Sequence, residues 1–99
     1  MWVKCDVTKE EEVKNAVEET VRQFGTLHVA VTCAGLAMFT FTYHPKHEMN
    51  LATWHKSMQI NVYGSVYVAK YASIHMSKNK PINELGEKGV IIFVSSITS

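Results

Sequence analysis

The sequence predicts an α/β domain with a parallel sheet, and two observations carry this prediction. Segments in which apolar residues recur at helical spacing alternate with short runs that are apolar throughout. Runs without the in-and-out alternation of a half-exposed strand are typical of parallel strands that helices cover on both faces. The predicted order is strand end, helix, strand, helix, strand, which is the order found in parallel α/β sheets.

The composition limits the class of protein. The 99 residues carry a formal net charge of +1, and 46% of them are hydrophobic, which indicates one globular domain or less. The charge balance does not support nucleic acid or an anionic membrane as a partner, although Lys78, Lys80 and Lys88 make one loop mildly basic. No apolar run is long enough to span a bilayer. We expect Cys5 and Cys33 to be buried, reduced thiols.

A strand end at Trp2 to Val7 is predicted to lead into the first helix. Thr8, with Glu11 three residues later, has the pattern of a capping box, and the glutamates of the first turn suit the positive end of the helix dipole. Apolar or small residues then recur at helical spacing as far as Phe24. Gly25 suits the left-handed position that ends a helix, so a helix of about four turns is predicted.

Two further strands and a second helix complete the predicted elements. The strands are Leu27 to Thr32 (LHVAVT) and Gly89 to Ser95 (GVIIFVS), both expected to be buried. Between them a long loop over 33–50 leads to a helix from about Leu51 to Ser77, on which Gly64 permits a close backbone approach. The side of this helix expected to be buried comprises Trp54, Met58, Val62, Val66, Ala69, Ala72 and Met76.

The strand ends hold the candidate functional residues, because ligands of open parallel sheets bind beyond the carboxyl ends of the strands. These ends read CDVT (5–8), TCAG (32–35) and VSS (94–96), and INVYG (60–64) lies inside the second helix. Asn61 is locally unfavourable there, since asparagine is a poor residue for a helix interior.

Each of these segments also has a simple structural interpretation. Cys33 to Gly35 can be a tight turn with no ligand. Asp6 can merely support the start of the first helix. Asn61, taken alone, is more often an exposed polar residue than a functional one.

Taken together and in this order, the four segments resemble the short-chain dehydrogenase/reductase family. That family typically reads D-V-T, then F-G-x-L-D-x-L-V-N-N-A-G, then N-(V/L)-x-G in a helix and G-x-I-(I/V)-x-x-S-S. The corresponding segments are DVT (6–8), QFGTLHVAVTCAG (23–35), INVYG (60–64) and GVIIFVSS (89–96), and they cover essentially the whole chain. The family's Asn-Asn-Ala-Gly is here Thr-Cys-Ala-Gly. This departure, the aromatic loop after it and the segment 76–92 are similar to the type-2 3-hydroxyacyl-CoA dehydrogenase branch.

The resemblance implies a fold and an activity. The fold would be the central fragment of a Rossmann-like doubly wound parallel sheet, with residues 1–99 an incomplete NAD(P)-binding domain. The activity would be that of an NAD-dependent oxidoreductase that interconverts a secondary alcohol and a ketone, acting on a 3-hydroxyacyl-CoA or a hydroxysteroid. The branch further implies a mitochondrial location, otherwise a cytoplasmic one, and a homo-oligomer formed through helix 51–77.

Two family hallmarks are expected outside these residues: a Gly-rich phosphate turn before Met1 and a Tyr-x-x-x-Lys pair after Ser99. We therefore expect the 99 residues by themselves to be inactive and not to fold stably alone. With the flanking strands missing, only the strands at 27–32 and 89–95 would be neighbours.

The resemblance also assigns catalytic residues. Ser96 would donate a hydrogen bond to the substrate carbonyl oxygen, with Ser95 as the second candidate for this role. Asn61 would belong to the catalytic group, holding a water in a proton relay and bending the helix.

Cofactor-binding residues are implied at two other strand ends. The Asp6 carboxylate would accept from the adenine amino group, and the Val7 backbone would contact a ring nitrogen. Cys33, Ala34 and Gly35 would pack beside the adenosine ribose, because Ala34 and Gly35 have almost no side chain.

The sequence is compatible with two other functions. The chain can be a catalytically inactive truncated isoform or a structural subunit that only binds partner chains. A metal site is the other class, since His44, His47 and His55 fall in one region, but no cysteine or carboxylate completes a ligand set of ordinary spacing. We therefore predict no metal.

Overall fold

A computed structural model describes residues 1–37 and 40–96, and its elements follow the predicted alternation. The long second helix consists of three consecutive parts, the middle one a π-helical segment. The elements in chain order are α1 (Glu10–Phe24), β1 (Val29–Thr32), α2 (Leu51–Met58), the π segment (Gln59–Tyr63), α3 (Gly64–Met76) and β2 (Val90–Phe93).

The two strands pair in parallel, as predicted. Val29 lies opposite Val90 and Thr32 opposite Phe93, so each strand is shorter than its apolar run. Beyond the strands the Val94 N–H donates to the Thr32 carbonyl oxygen at 3.1 Å. The two chain segments therefore leave the sheet side by side at its carboxyl end.

One polar side chain joins the segments that enter these strands. Asn79 Nδ2 donates to the carbonyl oxygens of Leu27 (2.7 Å) and Lys88 (2.9 Å), and Asn79 Oδ1 accepts from Thr26 Oγ1 (2.9 Å). Because Leu27 precedes β1 and Lys88 precedes β2, these bonds hold the two entry points at a fixed relative height.

Helix α1 ends as the sequence predicts. Gly25 has a φ of 82°, a left-handed conformation that glycine adopts without strain, and its N–H donates to the Val21 carbonyl oxygen at 2.7 Å. Val13 is the fully buried side chain of this helix.

The predicted capping box at Thr8 is wrong. The N-cap is Lys9, which makes no side-chain cap, and Thr8 Oγ1 instead donates to Asp6 Oδ1 at 2.7 Å. The Thr8 N–H donates to the same oxygen at 2.9 Å. A capping hydroxyl accepts from a backbone N–H of the first turn, but the two bonds to Asp6 close a local turn at Thr8, one residue before the N-cap, and orient its hydroxyl toward Asp6.

The predicted strand end at Trp2 to Val7 does not form a strand. A strand needs a hydrogen-bonded neighbour, and the described residues provide none for this segment. Trp2 is 83% exposed.

The predicted buried side of the long helix is only partly correct. Ala72 and Met76 are buried together with Gly64, at spacings of eight and four residues along one side of α3. Gly64 lies against Val7, and α3 also packs against α1. Trp54, Val62 and Val66 are exposed instead. The wide π turn shifts the helical register between α2 and α3, which separates Trp54 from the buried residues of α3. Val66 lies after that turn, and its position six residues before Ala72 places it about 120° away round the same helix.

A polar cluster fastens the start of α1 to α3. Lys70 Nζ and Tyr71 Oη both donate to Glu10 Oε1 at 2.8 Å, and Lys70 Nζ lies 5.0 Å from the centre of the Tyr71 ring. The hydrogen bond from Lys70, followed by that from Tyr71, lowers the pKa of the Glu10 carboxyl.

The strands are covered on one face only. Helix α3 contacts both strands, and Thr32 of β1 is buried, whereas Val29 and Val31 on the other face are half exposed. The expectation of strands buried on both faces is therefore wrong for this chain, because the described residues supply a single helical layer. Within those residues no helix is long and apolar enough to cross a membrane.

Candidate functional site

The side chain of Asn61 connects the long helix to the tip of β1. Asn61 Oδ1 accepts from the Leu36 N–H at 2.9 Å, and Asn61 Nδ2 donates to the Leu36 carbonyl oxygen at 3.0 Å. A second hydrogen of Nδ2 goes to Ser57 Oγ at 3.1 Å. The amide thus binds both polar backbone groups of one residue in the loop after β1.

This contact also explains a small residue at the β1 tip. A Cβ atom on Gly35 would lie 3.2 Å from Asn61 Oδ1, tighter than an ordinary van der Waals contact. The chain can reach the helix here because Gly35 has no side chain. Cys33, Ala34 and Gly35 are all exposed, so the backbone of the tip is open to a ligand.

The π segment places Asn61 for this role. Residues 59–63 form one wide turn between α2 and α3, and such turns are frequent at functional sites. The family resemblance implied a bend at Asn61, and the structure has a π turn at that place.

The segment before α1 meets the same helix one turn further on. A Cβ atom on Gly64 would lie 2.8 Å from Val7 Cγ2 and 2.9 Å from Val7 Cβ, so only glycine permits this approach. The prediction that Gly64 permits a close backbone approach is confirmed. Asp6 is therefore held beside the helix through its neighbour Val7.

The charge state of Asp6 suits an acceptor. Hydrogen bonds from the Thr8 side chain and backbone lower the pKa of the Asp6 carboxyl, and the positive charges of Lys9 and Lys56 contribute further. Asp6 remains exposed.

Ser95 and Ser96 follow β2 at the same end of the sheet. Because Val94 is hydrogen-bonded to Thr32, the segments 33–35 and 94–96 start next to one another. The long helix thus brings the tips at Asp6–Val7 and Gly35 to residues 56–64, and the sheet register sets the third tip beside the second. Ser96 is exposed.

The two cysteines differ from the expectation. Cys5 is half-buried, and burial, followed by the charges of Glu12 and Asp6, raises the pKa of its thiol. Cys33 is exposed, because the chain leaves the covered part of the sheet at Thr32.

The histidines do not form a metal centre among the residues 1–37 and 40–96. The rings of His44 and His47 stack with their centres 5.0 Å apart, and His44 Nδ1 accepts from the Lys46 N–H at 3.1 Å. Within those ranges no group of three or more histidine, cysteine or acidic side chains could hold a metal ion.

Sequence reasoning missed two residues of this region. Ser57 bonds to the Asn61 amide, and the positive charge of Lys56 contributes to the lowered pKa of Asp6. The i, i+4 spacing of Ser57 and Asn61 on a helix was the available signal. The backbone groups of Leu36 left no signal, since any residue has them.

Comparison with known proteins identifies the family. A family model described as "Enoyl-(Acyl carrier protein) reductase" matches residues 1–99. A short-chain type dehydrogenase/reductase of known structure from Mycobacterium ulcerans superposes on 95% of the chain with a TM-score of 0.75 and 28% identity. The chain belongs to the short-chain dehydrogenase/reductase family. The family predicted from the strand-end segments is thus confirmed.

This short-chain dehydrogenase/reductase chain is also similar to two further proteins. The 3-hydroxyacyl-CoA dehydrogenase type-2 of Mus musculus is 31% identical over 101 residues, covering 100% of this chain and 38% of that protein. The structure of ElxO with NADP bound superposes on 99% of this chain and 36% of that one, with a TM-score of 0.77 and 30% identity. The chain therefore spans little more than a third of these relatives. The predicted fold class, part of a Rossmann-like parallel sheet, is confirmed.

Proposed function

We propose that the chain is the central part of an NAD-dependent oxidoreductase that interconverts a secondary alcohol and a ketone by hydride transfer. The observation that carries this proposal is the Asn61 amide bound to both backbone groups of Leu36, because it joins the mid-helix asparagine to the strand tip that follows Thr32. A 3-hydroxyacyl-CoA or a hydroxysteroid is proposed as the substrate, on similarity to 3-hydroxyacyl-CoA dehydrogenase type-2.

The residues present fit the adenosine part of a dinucleotide. Ala34 and Gly35 offer exposed backbone with little side chain, next to Cys33, so a flat group can lie against them. Asp6 is an exposed carboxylate that stays ionised near neutral pH, as an acceptor for the adenine amino group must, and Val7 next to it offers its backbone to a ring nitrogen. When bound, the nicotinamide group supplies the site that gives or takes the hydride.

The catalytic functions fall to Ser96 and Asn61. Ser96 is proposed to donate a hydrogen bond to the substrate carbonyl oxygen, where negative charge develops during reduction, with Ser95 as the second candidate. Asn61 is proposed to help hold a water in the proton relay. The complete enzyme is proposed to supply a Gly-rich phosphate turn and a Tyr-x-x-x-Lys pair, which these 99 residues do not contain.

The test measures turnover of a 3-hydroxyacyl-CoA by the protein at its natural length, with NAD and with NADP in separate assays. Ser96→Ala should reduce kcat by about 100-fold or more, the usual effect of removing a hydrogen bond to a developing oxyanion, with cofactor affinity unchanged. Ser95→Ala tests the second candidate and should keep most of the activity, whereas a similar loss of kcat there would assign the role to Ser95. Near-normal turnover of Ser96→Ala would contradict the catalytic assignment, and a preference for NADP would contradict the choice of NAD.

A second candidate function is that of a structural subunit or inactive truncated isoform that binds partner chains through helix 51–77. The observation that favours it is a set of large apolar side chains exposed on the long helix: Leu51, Trp54, Val62, Tyr63, Val66 and Ile74. A homo-oligomer of the enzyme would use the same surface. Trp54→Glu, which adds a charge to this surface, should dissociate such an assembly in light-scattering measurements, whereas an unchanged mass would exclude Trp54 from the interface.

The mitochondrial location stays a prediction of the resemblance. Imaging of the tagged natural protein would test it, and a purely cytoplasmic signal would contradict it.

A further inference from the structure

The Asn61 amide uses all of its hydrogen-bond donors. Nδ2 carries two hydrogens, and one goes to the Leu36 carbonyl oxygen and the other to Ser57 Oγ. Oδ1 accepts from the Leu36 N–H. Only this orientation of the amide satisfies Leu36, because a flipped amide would set oxygen against oxygen and N–H against N–H.

Ser57 ties this amide to a rigid part of the helix. Ser57 lies in the last turn of α2, whose first turn is capped by Asn50 Oδ1 accepting from the Thr53 N–H at 3.1 Å. Asn61 lies beyond the change from α-helix to π-helix, where the backbone is wider and less regular. The Nδ2 to Oγ bond of 3.1 Å crosses that change and limits the rotation of the Asn61 side chain.

We propose that Ser57 is a positioning residue, which holds the Asn61 amide on Leu36 and so fixes the Gly35 tip. This proposal rests on the proposed function, in which the tip lies against adenosine. Ser57 itself touches neither substrate nor cofactor in this scheme, and its effect passes through Asn61. Gly35 responds through the chain, because it is joined to Leu36, whose N–H and carbonyl oxygen the amide holds, and because a Cβ at Gly35 would lie only 3.2 Å from Asn61 Oδ1.

The experiment compares three variants in the protein at its natural length. Ser57→Ala removes the acceptor, and Ser57→Thr keeps a hydroxyl at the same position of the helix. Ser73→Ala is the matched control, since Ser73 Oγ donates to the Lys70 carbonyl oxygen on α3 and has no contact with the amide. Hydrogen exchange of the Leu36 N–H and the Kd for NAD are measured, with thermal melting to confirm that each variant is folded.

Ser57→Ala should speed exchange at Leu36 and raise the Kd for NAD, each by about threefold to tenfold, the factor for one lost hydrogen bond of ordinary strength. Ser57→Thr should restore both values to within about twofold, and Ser73→Ala should change neither. Unchanged exchange at Leu36 in Ser57→Ala, or equal effects in the alanine and threonine variants, would overturn the role of Ser57. Faster exchange with an unchanged Kd would instead contradict the placement of the tip at adenosine, and with it that part of the proposed function.

Discussion

Replacing Gly64 by alanine tests how the segment before α1 is held on the long helix. The added Cβ would lie 2.8 Å from Val7 Cγ2 and 2.9 Å from Val7 Cβ, and 3.3 Å from the Val7 carbonyl oxygen. Rotation of the valine side chain can move Cγ2 away, but Cβ moves only with the backbone. Since carbon atoms pack at about 3.5 to 4.0 Å, the Val7 backbone must shift by roughly 1 Å.

Two opposing terms set the size of the effect on stability. Overpacking of this kind costs about 1 to 3 kcal/mol, while alanine gains about 1 kcal/mol over glycine inside a helix. The net destabilisation of Gly64→Ala is therefore about 0 to 2 kcal/mol. Because Asp6 is next to Val7 in the chain, the shift also displaces the Asp6 carboxylate. The Kd for NAD should therefore rise even under conditions in which the variant is fully folded.

Urea unfolding and NAD titration of the natural protein measure these two effects. Ser73→Ala is the matched control, since Ser73 lies on the same helix, is exposed and lies outside the proposed partner surface, and it should change neither quantity appreciably. If Gly64→Ala were more stable than the parent by about 1 kcal/mol, with NAD affinity unchanged, alanine would have gained its helix propensity without a clash. The Val7–Gly64 contact would then be wrong.

Three further predictions concern Glu10, Asp6 and the isolated chain. The bonds from Lys70 and Tyr71 lower the pKa of Glu10 in the folded state. The ionised carboxylate therefore stabilises the fold above the ordinary glutamate pKa of about 4.3. This contribution is lost as the pH falls through the lower pKa of the folded state. Glu10→Gln should therefore flatten the loss of urea resistance below about pH 4.3, and an unchanged pH profile would contradict the cluster. Asp6→Ala should weaken NAD binding with little change in kcat, and equal binding would remove Asp6 from the cofactor site. The isolated 99-residue chain should show no cooperative melting transition by circular dichroism, because the hydrophobic core of its described part consists of Val13, Ala72 and Met76 and is small. A sharp transition would show an independent fold.

The elements were predictable where a local rule decides them. The apolar spacing of α1 and the glycine at its end specify the helix from the chain itself, and Gly25 takes the left-handed conformation that this position requires. The parallel pairing of β1 and β2 followed from two apolar runs separated by a helix.

The errors arose where a distant or competing group decides the outcome. Thr8 has the sequence of a cap, but Asp6 supplies a charged acceptor two residues away and takes its hydroxyl. The buried side of the long helix depends on a π turn that apolar spacing does not reveal, so Trp54 was assigned to the wrong side. Val66 was assigned wrongly for another reason, since it lies on α3 about 120° round the helix from buried Ala72. The segment 2–7 has the composition of a strand, yet strand formation depends on a neighbour and not on composition.

The sequence singled out the candidate residues, which stay predictions, but it did not reveal the contacts between them. Asn61 stood out because asparagine is unfavourable in a helix interior, and Gly35 stood out because it follows a buried run. That the amide of one binds the backbone beside the other could not be read from the sequence, since the two are far apart in the chain and the partner is Leu36 backbone.

Asn79 lies at the opposite end of the sheet from the proposed functional residues, yet it influences which of them lie side by side. Its amide holds the starts of β1 and β2 at the same height. Each strand has four residues and is roughly 13 Å long, so this alignment also sets the relative height of the strand ends. A slip of a single position would turn each β2 side chain to the opposite face and bring Ser95 to the height that Ser96 now holds. In the proposed enzyme, the strand pairing that Asn79 helps to hold would thus decide which of the two adjacent serines lies at the reacting end.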